Sequence, residues 1–191
     1  ETIQTIINVQ AEHDDHSYLF FTTRYGVVKR TSVTEFANIR QNGLKALNLK
    51  EEDELINVFL TNGQADIIIG TKMGYAVRFN ENQVRNMGRA ATGVRGVNLR
   101  ADDHVVGASV ISNDQEVLVI TEKGYGKRTL ASEYATKGRG GKGMKTANIT
   151  EKNGPLAGLM AVNGDEDLMI ITNTGVIIRT NVANISQTGR A

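Results

Sequence analysis

Lysine and arginine are the residues of this chain whose spacing suggests chemistry, and that chemistry is the holding of phosphate. Formal net charge over the 191 residues is only +1. Position changes the picture. The stretches 24–45, 72–100, 123–145 and 173–190 hold 20 of the 22 Lys and Arg but only 3 of the 21 Asp and Glu, so +17 lies inside them and −16 outside. Many of these cations fall on loops with Gly and small neighbours, MGRAATG from Met87 and KGRGGKG from Lys137, where backbone N–H groups can join side chains in facing an anion. The residues expected to touch it are Arg30, Lys45, Arg78, Arg85, Arg89, Arg95, Arg128, Lys137, Arg139, Lys142, Lys145 and Arg179. Aromatic residues are 5% of the chain and do not interleave with the basic positions, which speaks against stacking on single-stranded bases. No helix with recognition-type spacing is visible. The expected polyanion is double-stranded DNA, held by its backbone without sequence preference.

Other chemistry finds little support. Gly138-Arg139-Gly140-Gly141-Lys142-Gly143 satisfies G-x-G-x-x-G literally, but a dinucleotide site needs a strand before it and a helix after it, and a strand-like pattern follows instead. There is no Walker A match. His13, Asp14, Asp15 and His16 form a polar connector with only two imidazoles, read as a turn and not as a metal site, and His104 stands alone among acids. With no Cys, and no Ser placed beside a His by the repeat, no nucleophile has a base and an orienter. The chain is expected to be non-catalytic, with no cofactor and no metal of its own.

The elements that must position the cations come from an internal repeat. Leu19 to Thr31, Ile67 to Phe79, Val117 to Thr129 and Leu168 to Thr180 each run from an apolar stretch through Thr-x-x-Gly to an Arg four residues beyond the Gly. The glycines Gly26, Gly74, Gly124 and Gly175 are 48, 50 and 51 residues apart, a propeller-blade period. Each copy reads as a hairpin, because Gly alone takes positive φ after a tight turn without a Cβ clash. A polar residue and an apolar anchor follow: Glu35-Phe36, Gln83-Val84, Glu133-Tyr134 and Asn184-Ile185. Next comes Gly-apolar-basic-x-apolar-Asn-apolar at Gly43, Gly93 and Gly143, then an acidic turn and a further apolar strand. The fold predicted is all-β, a pinwheel or propeller-like array of about four four-stranded blades in one domain over 1–191, with units near 1–50, 51–100, 101–150 and 151–191.

With 40% hydrophobic residues, one Pro, no Trp and no Cys, the chain can bury a sizeable core and needs no oxidising compartment. No apolar run reaches membrane-span length and no signal peptide is visible, so a cytoplasmic location is expected. Residues 6–9, IINV, echo LINV at Leu55, and Gly189-Arg190-Ala191 echoes Gly88-Arg89-Ala90. Both ends therefore read as falling inside a repeat of a longer array, with edge strands unpaired or exchanged between molecules.

The strings VRNMGRAATGVRGVNL, EKGYGKRT, ITEKNG and DLMIITNTGVIIRTNVANISQTGRA resemble the C-terminal domain of the A chain of bacterial DNA gyrase, and the resemblance covers essentially the whole sequence. It implies a six-bladed β-pinwheel with hairpins exchanged between neighbours, of which the four repeats here look like the third to sixth blades. It implies that duplex DNA is bound and bent around the perimeter, so that ATP-driven strand passage by the whole enzyme introduces negative supercoils. The implied partners are DNA, the remainder of the gyrase A protein and its companion gyrase B protein. ATP, magnesium and the nucleophilic tyrosine belong to those other parts. The family's wrapping motif, Q-[RK]-R-G-G-[RK]-G, is matched by Arg139 to Gly143 in its last five positions only, since Lys137 and Gly138 replace the first two, and it reads as a degenerate copy. The equivalent domain of topoisomerase IV, or a propeller scaffolding protein partners, are the alternatives.

Overall fold

The computed structural model describes residues 3–8, 16–38 and 41–191, and its regular structure is antiparallel strands joined by tight turns. The first hairpin, β1 (Tyr18–Thr23) with β2 (Val27–Ser32), takes β3 (Leu55–Thr61) against β1. After the second hairpin, β4 (Asp66–Thr71) with β5 (Tyr75–Asn80), the short β6 (Val94–Arg95) returns to β2 of the first. Strand β7 (Val105–Ile111) then joins β4. The third hairpin is β8 (Glu116–Thr121) with β9 (Gly126–Leu130), after which β10 (Met144–Lys145) returns to β5 and β11 (Leu156–Val162) joins β8. The fourth is β12 (Asp167–Ile171) with β13 (Ile177–Asn181).

The sheets therefore hold four, four, three and two strands. The predicted fourth strand exists, but it belongs to the sheet of the preceding hairpin. Neither β9 nor β13 has such a strand among the described residues. Leu44–Lys45, the first copy of that pattern, forms no strand, because no earlier hairpin is present among the described residues to receive it. Of residues 6–9, whose echo of Leu55 reads as the last strand of a preceding unit, 6–8 are described and are not in a strand, and residue 9 lies outside the described residues. Blade boundaries also shift from the expected units: the strand after each acidic turn pairs backwards, so Leu55–Thr61 closes the first sheet and does not open the second.

The recurring Thr and Gly act together at the hairpin tips. In every copy the Gly N–H donates to the Thr carbonyl, and the next residue's N–H (Val27, Tyr75, Tyr125, Val176) donates to the Thr Oγ1 at 3.0–3.3 Å. The backbone at Gly74 has φ +90°, and a Cβ there would lie 2.5 Å from the Ala147 carbonyl oxygen. Each hairpin then runs into a single 3₁₀ turn: Val33–Phe36, Glu81–Gln83, Ala131–Glu133 and Val182–Asn184.

Central strands are buried on both faces, which explains their unbroken apolar runs. Ile67 and Ile69 of β4 pack with Phe20 and Val28 of the first blade, whereas Ile68 between them packs with Val117, Val119 and Leu159 of the third. Leu118 and Val162 carry the stack on to Leu168 and Val182 of the fourth. The outer blade is only partly covered, with Met169, Ile171, Ile177 and Ile178 at least half exposed.

Gly74 and Gly175 share the same positive φ, but nothing lies within 4 Å of a Cβ at Gly175. Gly175→Ala is expected to cost about 1 kcal/mol, from backbone strain alone. Gly74→Ala is expected to cost about 2–4 kcal/mol, because the Ala147 carbonyl must also move. Paired urea melts of the two variants check the difference.

Candidate nucleic-acid interface

The four arginines that mark the repeat do not form the expected surface row. Arg30 and Arg78 are buried, with side chains only 10% and 4% exposed, and Arg128 is 17% exposed. All three are tied to carboxylates and to the following blade. Arg78 pairs with Asp66 at 3.0 Å and donates to the carbonyls of Ala131 and Tyr134, across the next 3₁₀ turn. Arg128 pairs with Glu116 at 2.8 Å and donates to the Ile185 carbonyl. Arg30 stacks on the Tyr18 ring, 4.3 Å from its centroid, and pairs at 3.1 Å with Glu81 of the second blade. Their burial and ion pairing argue against the expected DNA contact, because a guanidinium largely enclosed by protein and paired with a carboxylate has little charge to offer a phosphate in solvent. Arg179 pairs with Asp167 but is 72% exposed, and it reaches no further blade among the described residues.

A signal for this role was present in the sequence. The carboxylate lies twelve residues before the Arg in three copies, Asp66, Glu116 and Asp167, at the start of the first hairpin strand. In the first copy Tyr18 takes that place and Glu81 supplies the charge from the other side. Burial works against the charged form of Asp66, yet hydrogen bonds from Thr136, Asn80 and Arg78 outweigh it and hold the carboxyl below the ordinary range.

The other eight predicted cations, Lys45, Arg85, Arg89, Arg95, Lys137, Arg139, Lys142 and Lys145, are exposed or partly exposed, and none forms an ion pair among the described residues. Strand return brings several of them together from different repeats. The Gly-Arg loop of one repeat lies against the basic segment of the repeat before it, a strand at Arg95 and Lys145 but not at Lys45. Arg89 donates to the Lys45 carbonyl at 3.4 Å, Arg139 to the Arg95 carbonyl at 2.8 Å, and Arg190 to the Lys145 carbonyl at 3.1 Å. Beside the middle pair, Arg100 lies 3.6 Å from the Tyr75 ring centroid and donates to the Lys142 carbonyl at 2.8 Å. Arg85 and Lys137 are exposed but join no such pair. Sequence reasoning missed Arg100 and Arg190, although the Gly-Arg-Ala echo at 189–191 marked the latter.

The arrangement occurs at three successive places, each joining basic residues of adjacent repeats at a glycine-bearing turn, and Glu133 lies near the third. Acidic turns are used elsewhere. Asp53 and Asp103 accept from the N–H groups of Tyr25 and Met73 and so hold hairpin tips. The Gly138–Gly143 run opens onto β10 and no helix follows it, so it lacks the frame of a dinucleotide site. His13, Asp14 and Asp15 lie outside the described residues. Among the described ones no cluster of three His, Cys, Asp or Glu could hold a metal ion, and no helix is long and apolar enough to cross a membrane.

Blades completed by a strand from the next repeat define a propeller-like pinwheel, and comparison with known proteins specifies which kind. The family model described as "DNA gyrase C-terminal domain, beta-propeller" matches residues 17–62, 65–112, 115–163 and 166–191. The DNA gyrase A protein of Streptococcus pneumoniae serotype 4 is 78% identical over all 191 residues, and that of Halalkalibacterium halodurans is 65% identical over 190. The chain spans 23% of the length of each. Among solved structures, the C-terminal domain of DNA topoisomerase IV superposes with TM-score 0.87 at 29% identity, covering 92% of this chain and 55% of that one. The DNA gyrase A C-terminal domain gives 0.84 at 26% identity, covering 93% and 59%. The chain belongs to the DNA gyrase C-terminal domain family.

Two outcomes test the corrected roles. Arg30→Met leaves the Glu81 carboxylate buried without its cation, and a loss of about 3 kcal/mol in stability is expected by denaturant titration, with nucleic-acid retention unchanged while the chain is folded. The second concerns Lys29, whose ammonium is pushed down to about 8 from 10.5, first by burial and then by Arg89 beside it. Between those values the unfolded chain holds the extra proton, so stability rises as pH climbs above about 8. Melting curves across that range should show the rise, and Lys29→Met should flatten it.

Proposed function

We propose that this chain is a non-catalytic module of DNA gyrase that binds duplex DNA by its backbone and wraps it, supporting ATP-dependent negative supercoiling by the whole enzyme. The observation that carries the reading is the cation pair repeated at successive blades, Lys45 with Arg89, Arg95 with Arg139 and Lys145 with Arg190. Basic residues of adjacent repeats that form no ion pair among the described residues gain most from a polyanion. Successive blades present such pairs in succession, which suits a backbone followed over a curved path. Smooth bending of a site of 20–30 base pairs costs about 1–6 kcal/mol, and several phosphate contacts spread along the path offset it. Loop N–H groups and long flexible cations suit phosphate more than base edges, so affinity is expected to be indifferent to sequence.

In this reading the domain works within the gyrase A protein, alongside the gyrase B protein, in the cytoplasm, and the bond-breaking and ATP-hydrolysing chemistry lies outside this chain. The fold likeness to the topoisomerase IV domain supports an alternative role in that enzyme. The relatives at 65–78% identity, which are gyrase A proteins, favour gyrase.

Gel-shift titration of a mixed-sequence duplex over a salt series tests the proposal. If the six paired cations with Arg100 and Lys142 neutralise about eight phosphates, the log–log salt slope should be near −7. Charge reversal at Lys45, Arg95 and Lys145 should flatten it by about 3 and weaken binding on unrelated sequences alike. A flat salt response, or an unchanged triple variant, contradicts the proposal.

A further inference from the structure

Beneath two of the cation pairs lies a lysine to which the DNA reading gives no part. Lys29 is fully buried on β2, with its ammonium 5.3 Å from the Phe21 ring centroid. It donates to the carbonyls of Ala46 at 2.6 Å and Arg89 at 2.5 Å. Lys127 holds the same place in the third hairpin, three residues after the turn glycine, and donates to the carbonyls of Gly189 at 2.9 Å and of Arg190. In both sites the grip falls on the Gly-Arg loop of the following repeat, and the Arg of that loop reaches on to the Lys45 or Lys145 carbonyl. Val77 and Ile178 occupy the position in the second and fourth hairpins.

An ammonium taken out of water is costly unless it is paired with a counter-charge. Lys29 has no carboxylate partner among the described residues. The loop packed on it brings Arg89, the segment that offers the Ala46 carbonyl brings Lys45, and Arg30 on its own strand is already held by Glu81. Lys127 faces Glu133 from the 3₁₀ turn and Arg190 from the loop. Carbonyl oxygens supply part of the compensation, and an anion bound over the loop would supply the remainder. The loop above Val77 shows the contrast: Lys137 to Gly143 contains four glycines and is held by Arg139, by Arg100 at the Lys142 carbonyl and by backbone contacts, with no lysine beneath it.

We infer that Lys29 and Lys127 are positioning residues of the DNA interface: each locks a Gly-Arg loop from beneath and adds its buried charge to the field that the phosphates feel. This rests on the DNA-binding reading above. The blade with Val77 lacks the lock, and its loop is held by arginines instead, Arg139 from within and Arg100 at the Lys142 carbonyl. Phosphate overhead favours the charged amine, so binding takes up a proton wherever the free amine has begun to lose its own. Affinity contributed by Lys29 is therefore complete at pH values below about 8 and declines above it.

The test compares the 191-residue chain with Lys29→Met, Lys127→Met and Val77→Met on a mixed-sequence duplex at fixed salt, across neutral to mildly alkaline pH. Each lysine variant should bind about tenfold more weakly at neutral pH, the worth of one or two ionic contacts, while Val77→Met binds as the parent does. Parental affinity should fall as pH rises through about 8, and Lys29→Met should lose that dependence. Simple loosening of the core would move the melting temperature without removing a pH response. Should Lys29→Met fail to fold, Lys127→Met, at a half-buried site, decides the question by its neutral-pH affinity. Parental binding with the lysine variants unchanged overturns the positioning role alone. Absence of parental binding overturns the role and the DNA reading together.

Discussion

No sheet in this chain is complete by itself, and the interaction that makes neighbours obligatory is an arginine that leaves its own hairpin. Arg78 and Arg128 each start from a carboxylate at the edge of their own sheet and end on carbonyls of the next 3₁₀ turn, while Arg30 ends on Glu81. Because these groups are shielded from water, losing one partner would strand the other at a cost far above that of a surface ion pair. The staple fixes the spacing between blades. Strand return from the following repeat and the alternating burial of β4 then fill the gap it defines.

That constraint also produces the surface. A strand that returns to the preceding hairpin carries its basic residue away from its own blade, and the next Gly-Arg loop must settle against the segment it leaves. Arg95 with Arg139 and Lys145 with Arg190 are thus consequences of how the blades are joined, and Lys45, on a segment outside any strand, meets Arg89 in the same way. Cations of one repeat alone would be spaced by a whole blade. Exchange sets them in pairs, and basic residues outside every described ion pair are what a phosphate backbone would use in the proposed role. Acidic residues go to the tips and the sheet starts, where Asp53, Asp103, Asp66 and Glu116 each hold a named donor.

The hairpins were legible in the sequence because their cause is local: Thr-x-x-Gly encodes a turn through one side-chain acceptor and one positive φ, and any copy can be read alone. Exchange was not legible, because Gly-Val-Arg at Gly93 reads equally well as a strand for its own hairpin or for the one before it. The repeated arginines misled for a related reason. Recurrence of a charged residue marks a constraint without saying whether water or protein supplies its partner, and the answer lay twelve residues upstream in Asp66, Glu116 and Asp167. Lys29 was hidden differently. Its neighbours in sequence are apolar and basic, and only the folded loop shows that its ammonium is held by carbonyls from residues 46 and 89.

The central claim is that cations from successive blades lie along one path against one duplex. The chain contains no cysteine, so single substitutions accept a site-directed DNA-cleaving chelate without a background label. Lys45→Cys, Arg95→Cys and Lys145→Cys should each cut bound duplex DNA, in adjacent segments that follow the order of the blades, while Glu52→Cys and Asp102→Cys on the acidic turns should cut little. Cleavage from the acidic turns equal to that from the three basic segments, or cuts from those segments falling at one common place, would contradict the account.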